Sequence, residues 1–149
     1  MLGGVQPSSV RALRRTISYS KTIEIRWRDI DAYEHVNNAV YATYLEESRD
    51  EFLSGVIGSG YMTDYVVARV AIDFRNELRL EDDSVEVTVR LVRIGSSSLT
   101  LNEAIRKAAT GELAAEAEAV LVARDPETAR SRPLRDDERS ACERVLETA

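Results

Sequence analysis

Asn37-Asn38-Ala-Val-Tyr41-Ala-Thr-Tyr44-Leu45-Glu-Glu-Ser48-Arg49-Asp-Glu-Phe52-Leu53 carries the strongest helical signal in the chain. Tyr41, Tyr44, Leu45, Ser48 and Phe52 recur at i, i+3, i+4, i+7 and i+11, one stripe down a helix, while Glu46, Glu47, Arg49, Asp50 and Glu51 cover most of the rest. This reading predicts a helix from about Ala39 to Leu53. Asn37 or Asn38 supplies an oxygen to cap its first turn, and Gly55 supplies a stop. A single apolar stripe must be buried against something, and most of the remaining chain reads as strand.

Upstream, Ile17 to Arg28 contains Ile23-Glu-Ile-Arg-Trp27-Arg, with Ile23, Ile25 and Trp27 on one side and charges on the other. Downstream, Tyr65 to Leu78 is rich in β-formers. Val85, Val87, Val89 and Leu91 alternate with polar residues, and Leu99, Leu101 and Ile105 do so around Glu103. Leu113 to Arg124 is ambiguous, because Ala114 to Ala119 is an Ala/Glu tract with helical propensity. Its alternation of Glu116 and Glu118 with alanines, and its Val120-Leu-Val ending, predict a fifth strand. Asp136 to Thr148 is expected to form a short terminal helix. Strand, helix, then four strands joined by short turns is an α+β plan, an antiparallel sheet of about five strands wrapped on one helix.

The chain has 149 residues, which suits one domain, and residues 1–17 are expected to be a loose tail before it. Twenty Lys+Arg against 26 Asp+Glu give a net charge of −6, which argues against nucleic acid as a partner. No apolar run approaches the roughly 18 residues of a membrane span, so no membrane partner is expected. One cysteine, Cys142, permits no internal disulfide and suits a reducing cytoplasm.

Between the first strand and the helix lies Asp29-Ile-Asp31-Ala-Tyr33-Glu34-His35-Val-Asn37-Asn38, which holds two carboxylates, the only histidine and two asparagines. A helix start presents unpaired N–H groups and partial positive charge, which stabilise a developing oxyanion. A carboxylate just upstream can act as nucleophile or base, so the segment suits acyl transfer or hydrolysis. On residue type alone, the aspartates could equally cap turns and the asparagines cap the helix. Asp29, Asp31 and His35 could also ligate a metal, but no fourth ligand stands at a recognisable spacing.

From Arg26 to Arg49 the segment resembles the signature of hotdog-fold thioesterases, in particular the 4-hydroxybenzoyl-CoA thioesterase-like acyl-CoA thioesterases. Plant acyl-ACP thioesterases share its D-x-x-x-H-V-N-N. The similarity extends to Val67-Ala-Arg-Val-Ala-Ile-Asp-Phe-Arg and Arg93-Ile-Gly-Ser-Ser-Ser-Leu-Thr-Leu, and covers roughly residues 20–140. The resemblance implies a single hotdog domain over residues 18–149 that hydrolyses an acyl-CoA to a carboxylic acid and CoA. Asp31 is then the catalytic carboxylate, the Asn38 N–H the oxyanion donor, and His35 a further member of the site. Tyr33, Asn37, Val40, Tyr41 and Tyr44 are expected to contact substrate, alongside residues of a facing subunit. Arg93 and Arg106 are candidates for the CoA phosphates.

No metal or other cofactor is implied, and a homodimer or homotetramer is. Two departures stand out: Glu34 replaces a common glycine, and Glu77 a common proline. The rivals are action on acyl carrier protein, a hotdog dehydratase, and a non-catalytic acyl-CoA-binding module.

Overall fold

The computed structural model describes residues 19–58 and 64–146. The tail expected over residues 1–17 lies outside them. In chain order the elements are β1 (Tyr19–Glu24), α1 (Asn38–Val56), β2 (Tyr65–Phe74), β3 (Ser84–Ile94), β4 (Ser98–Lys107), β5 (Leu113–Ala123) and α2 (Asp136–Val145), with short 3-10 turns at Trp27–Asp29 and Leu80–Asp82. The five strands form one sheet in the order β1-β3-β4-β5-β2, and every neighbouring pair is antiparallel. This is the α+β hotdog architecture, with α1 lying against the sheet.

The expected stripe is the face that α1 buries: Tyr41, Tyr44, Leu45, Ser48 and Phe52 are all buried, joined by Arg49 and Leu53. Opposite them stand Val85, Val87, Val89 and Leu91 of β3 and Leu99, Leu101 and Ile105 of β4, each at most 1% exposed. Full burial of such a side chain contributes about 1.5–3 kcal/mol, so the strand alternation is also a large source of stability.

β5 is a strand despite its helical propensity. Ala115, Ala117, Ala119 and Ala123 point inward with Leu121, and Glu116 and Glu118 point out. Register pairs Ala117 with Glu103 and Ala119 with Leu101. The small inward alanines leave room for a long polar pair: Arg49 grips Glu103 through Nε and Nη2, both at 3.0 Å. Their side chains are only 5% and 0% exposed. Burial pushes the Glu103 carboxyl up, and the Arg49 guanidinium opposes that shift.

Three boundaries differ from the sequence reading. α1 does not stop at Gly55 but runs to Val56, and the positive φ of 101° falls at Gly58. Gly55 has a packing reason instead, since a Cβ there would lie 2.9 Å from the Tyr19 ring. β1 ends at Glu24, so Trp27 falls on a 3-10 turn and is 82% exposed, not on the inner face. β2 ends at Phe74, four residues before Leu78.

Candidate active site

The two aspartates of the D-x-D pair have different surroundings. Asp29 is 5% exposed, and its Oδ2 accepts hydrogen bonds from Arg26 N–H at 2.9 Å and Tyr44 O–H at 2.7 Å. Arg26 Nε lies 3.6 Å from the same oxygen. Burial first, and the Asp29 hydrogen bond second, push the Tyr44 phenol well above its ordinary range. Asp29 therefore pins the end of the first strand segment to the middle of α1.

Asp31 stands on the loop that this pin holds. The chain turns back on itself through Glu34 N–H to Asp31 C=O and Asp31 N–H to His35 C=O, both 3.0 Å, and through Asn37 N–H to Asp29 C=O at 2.9 Å. Glu34 takes the left-handed backbone, φ 66°, that the turn requires. Val36 is buried, and its N–H donates to Leu78 C=O at 2.8 Å, so the loop is stitched to the segment that follows β2.

The half-buried Asp31 carboxylate is held at both oxygens. Oδ1 accepts from Tyr33 N–H at 2.9 Å, and Oδ2 from the Asn37 side-chain amide at 3.1 Å. Asn37 is also the helix cap, its Oδ1 accepting from Ala39 N–H at 2.9 Å. That cap leaves only the NH₂ end of the amide for Asp31, so the orientation of Asn37 is decided by hydrogen bonding. Asn38 opens α1, and its N–H donates to no acceptor among the described residues. A clamped carboxylate and a free helix-start donor thus share one short segment.

His35 Nε2 lies 2.7 Å from Glu77 Oε2. Glu77 in turn accepts from Arg79 Nε at 2.8 Å, and Arg79 holds its carboxyl below the usual range. The sequence marks Glu77 only as a departure from proline. Nothing in the spacing signals its contact with His35, because the two stand 42 positions apart with α1 and β2 between them.

The remaining expected residues fall in three groups. Tyr33 is 82% exposed on the loop, and Asn37 has both ends of its amide engaged within the site. Val40, Tyr41 and Tyr44 belong to the core: Val40 packs on it half-buried, and the tyrosines are 3% and 0% exposed. The Tyr41 hydroxyl donates to Asn76 C=O at 3.2 Å. In a single chain they do not wall an open pocket, because the stripe that faces the sheet is the stripe that is covered. Arg93 and Arg106 do not converge either. Arg93 pairs with Thr100 near the start of β4 and Arg106 lies near its end, about 20 Å away at ~3.4 Å per residue.

An apolar-lined groove of about 520 Å³ does run between α1 and the edge strand β2. On the helix it follows Ala42, Glu46, Arg49, Asp50 and Leu53, and on the sheet side it includes Val67, Val70 and Ile72. Ala42 is one turn beyond Asn38 on the same helix face. The charged members of this second stripe hide it from a hydrophobicity pattern. Among the described residues, no group of three or more His, Cys, Asp or Glu could hold a metal ion.

The chain is similar to known proteins over nearly its whole described length. It is 29% identical over 128 residues to the long-chain acyl-CoA thioesterase FadM of Escherichia coli K12, covering 83% of this chain and 96% of that one. A thioesterase of Thermus thermophilus, solved in complex with coenzyme A and zinc, superposes with a TM-score of 0.77 at 32% identity, over 85% of this chain and 92% of that one. A Bacillus stearothermophilus protein described as a predicted thioesterase superposes with a TM-score of 0.80 at 25% identity, over 89% and 98%. Residues 25–142, which run from the end of the first strand segment into α2, match the thioesterase-like superfamily. With the sheet order and the central helix agreeing as well, the chain belongs to that superfamily and is a hotdog-fold thioesterase.

Proposed function

We propose that this thioesterase acts on acyl-CoA, with Asp31 supplying the nucleophile and Asn38 N–H receiving the oxyanion. The observation that carries this reading is the Asp31 carboxylate clamped to the helix-capping Asn37, whose neighbour Asn38 opens α1. Asp31 delivers either its own oxygen or a water it deprotonates to the thioester carbonyl. Negative charge then develops on the carbonyl oxygen, where the Asn38 N–H and a helix dipole of roughly half a unit charge stabilise it. Collapse of the tetrahedral adduct breaks the C–S bond and releases CoA as thiolate, which takes up a proton; where Asp31 itself attacked, water then cleaves the acyl–Asp31 anhydride to the carboxylic acid and frees the carboxylate. Asn37 holds Asp31 in place, and His35 orients groups around the acyl–sulfur bond.

The acyl chain lies in the groove along Ala42 to Leu53, which spans about 17 Å at ~1.5 Å per residue and suits an extended aliphatic chain. The naming of the Escherichia coli relative as a long-chain enzyme supports this choice. A homodimer closes the groove: β2 is a ten-residue edge strand with Val67, Val70 and Phe74 all exposed, a surface that invites pairing with a second copy.

The test is release of CoA thiol from short, long and aromatic acyl-CoAs by the wild type and Asp31→Asn. Turnover that favours long chains and falls at least about 100-fold in the variant is expected. Turnover on carrier-protein esters alone would replace the substrate, and stoichiometric binding without turnover would overturn the reading. Cys142 is fully buried, burial pushes its thiol up to about 11, and a control without substrate accounts for any reaction of it with the thiol reagent.

A further inference from the structure

His35 is the only histidine in the chain, and its surroundings decide which ring nitrogen carries the proton. A carboxylate oxygen offers only lone pairs, so it cannot sit 2.7 Å from an unprotonated ring nitrogen, and the Glu77 contact requires a hydrogen on Nε2. Arg79 Nη2 also approaches Nε2, at 3.4 Å, but a guanidinium only donates. That longer approach is therefore not the bond that sets the tautomer.

Glu77 is exposed, yet it does not sit on a free loop. Just before it, Arg75 and Asn76 N–H both donate to Ala114 C=O, and the Asn76 side chain donates to Leu113 C=O. Just after it, Leu78 is fully buried and receives Val36 N–H. Arg79 is fixed by its own N–H to Asp82, and its guanidinium holds the Glu77 carboxylate. The carboxylate is thus gripped from one side and aimed at His35 from an anchored backbone.

We propose that Glu77 is a positioning residue for His35: by accepting the Nε2–H hydrogen bond it fixes the Nε2–H tautomer and leaves Nδ1 as the ring atom that takes up a proton of the attacking water and returns it to the departing CoA sulfur. This rests on the Asp31-centred reading above. When Nδ1 gains a proton, the Glu77 carboxylate compensates the imidazolium charge, and on release the ring returns to the same tautomer. The Arg79 hydrogen bond holds the Glu77 carboxyl further below its usual range. Carboxylate partners of this kind orient working histidines elsewhere, and their removal costs about tenfold or more in activity.

Because there is one imidazole, long-range ¹H–¹⁵N spectra of tag-free protein report it without assignment. The wild type is expected to show a protonated Nε2 and a bare Nδ1 in its neutral form, and Glu77→Ala a mixture of tautomers. Glu77→Gln retains an acceptor oxygen and so retains the tautomer. In steady-state hydrolysis, Glu77→Ala should lower kcat about tenfold with KM changed less than about twofold, and Glu77→Gln should lie between it and wild type. In a His35→Ala background, Glu77→Ala should have no further effect on kcat. An unchanged tautomer in Glu77→Ala, or an equal kcat loss with and without His35, overturns the inference. Asp31→Asn, assayed alongside, separates the two levels. If it retains turnover the site reading fails, and if it abolishes turnover while Glu77→Ala is silent, only the Glu77 role fails.

Discussion

Exchanging the partners of one hydrogen bond tests the site from both its structural and its chemical side. Asp31 Oδ2 accepts from the Asn37 NH₂ at 3.1 Å, and Asn37 cannot rotate its amide because its oxygen caps Ala39 N–H at 2.9 Å. In Asp31→Asn the new side chain keeps its oxygen for Tyr33 N–H, which turns its NH₂ toward that of Asn37. Two donors then face each other. Losing that charge-assisted bond at a half-exposed position should cost about 1 kcal/mol, or about 2–6 °C in Tm for a domain of this size. The double variant Asp31→Asn/Asn37→Asp restores the pair in reverse, and aspartate caps a helix as well as asparagine does. Thermal unfolding at fixed protein concentration should therefore show Asp31→Asn destabilised and the double variant returned to within about 0.5 kcal/mol of wild type. Thiol release should remain lower by about 100-fold or more in both, because position 31 has lost its basic oxygen. Recovery of turnover in the exchanged pair would show that charge anywhere in the segment suffices, and would refute the assignment to Asp31. A double variant as unstable as the single would refute the clamp.

Three other perturbations probe the surrounding frame. Arg49→Met leaves the Glu103 carboxylate buried without its partner and should cost about 3–5 kcal/mol in urea unfolding at pH 7. Burial already raises the Glu103 carboxyl and Arg49 opposes it, so the variant raises it further. A carboxyl raised on folding favours the native state at low pH and loses that contribution as pH rises, so the deficit should shrink as pH falls from neutral toward the ordinary carboxylate range and change little below it. Glu34 holds φ 66°, so Glu34→Val should destabilise by about 1–2 kcal/mol and Glu34→Gly should not, as read by Tm. Sedimentation at micromolar concentration should show no 16.7 kDa species, and Val70→Lys on the β2 edge should produce it together with loss of turnover.

The parts of the fold legible in the sequence are those where one period dominates. The alternating valines of β3 and the tyrosine stripe of α1 each place apolar groups on one side at a single spacing, and both elements form as that spacing requires. Alternation misplaces Trp27 because it continues past Glu24, where the chain has already left the sheet for a 3-10 turn. Gly55 reads as a terminator because local rules see its freedom and not the Tyr19 ring packed on it. In the site, the resemblance names Asp31 and residue type suggests caps at Asn37, but the sharing of one amide between cap and carboxylate is a three-dimensional fact. The Glu77–His35 contact is more remote still, since it depends on how the segment after β2 crosses to the loop. Ala114 to Ala119 shows the opposite case, where propensity points to helix and the sheet overrules it.

Those alanines also act as a ruler for the molecule. Ala114, Ala115 and Ala117 share a core with Tyr41, Tyr44 and Leu45, and Ala119 and Ala123 share one with Phe52 and Leu53. Side chains this short cannot be trimmed further except to glycine, so nearly every substitution of these alanines adds bulk to the core they share with α1. Because α1 begins with the cap and the proposed oxyanion donor, added bulk in that core is expected to displace the proposed reacting groups without touching them. Rate and groove width are therefore expected to respond to β5 residues well removed from Asp31.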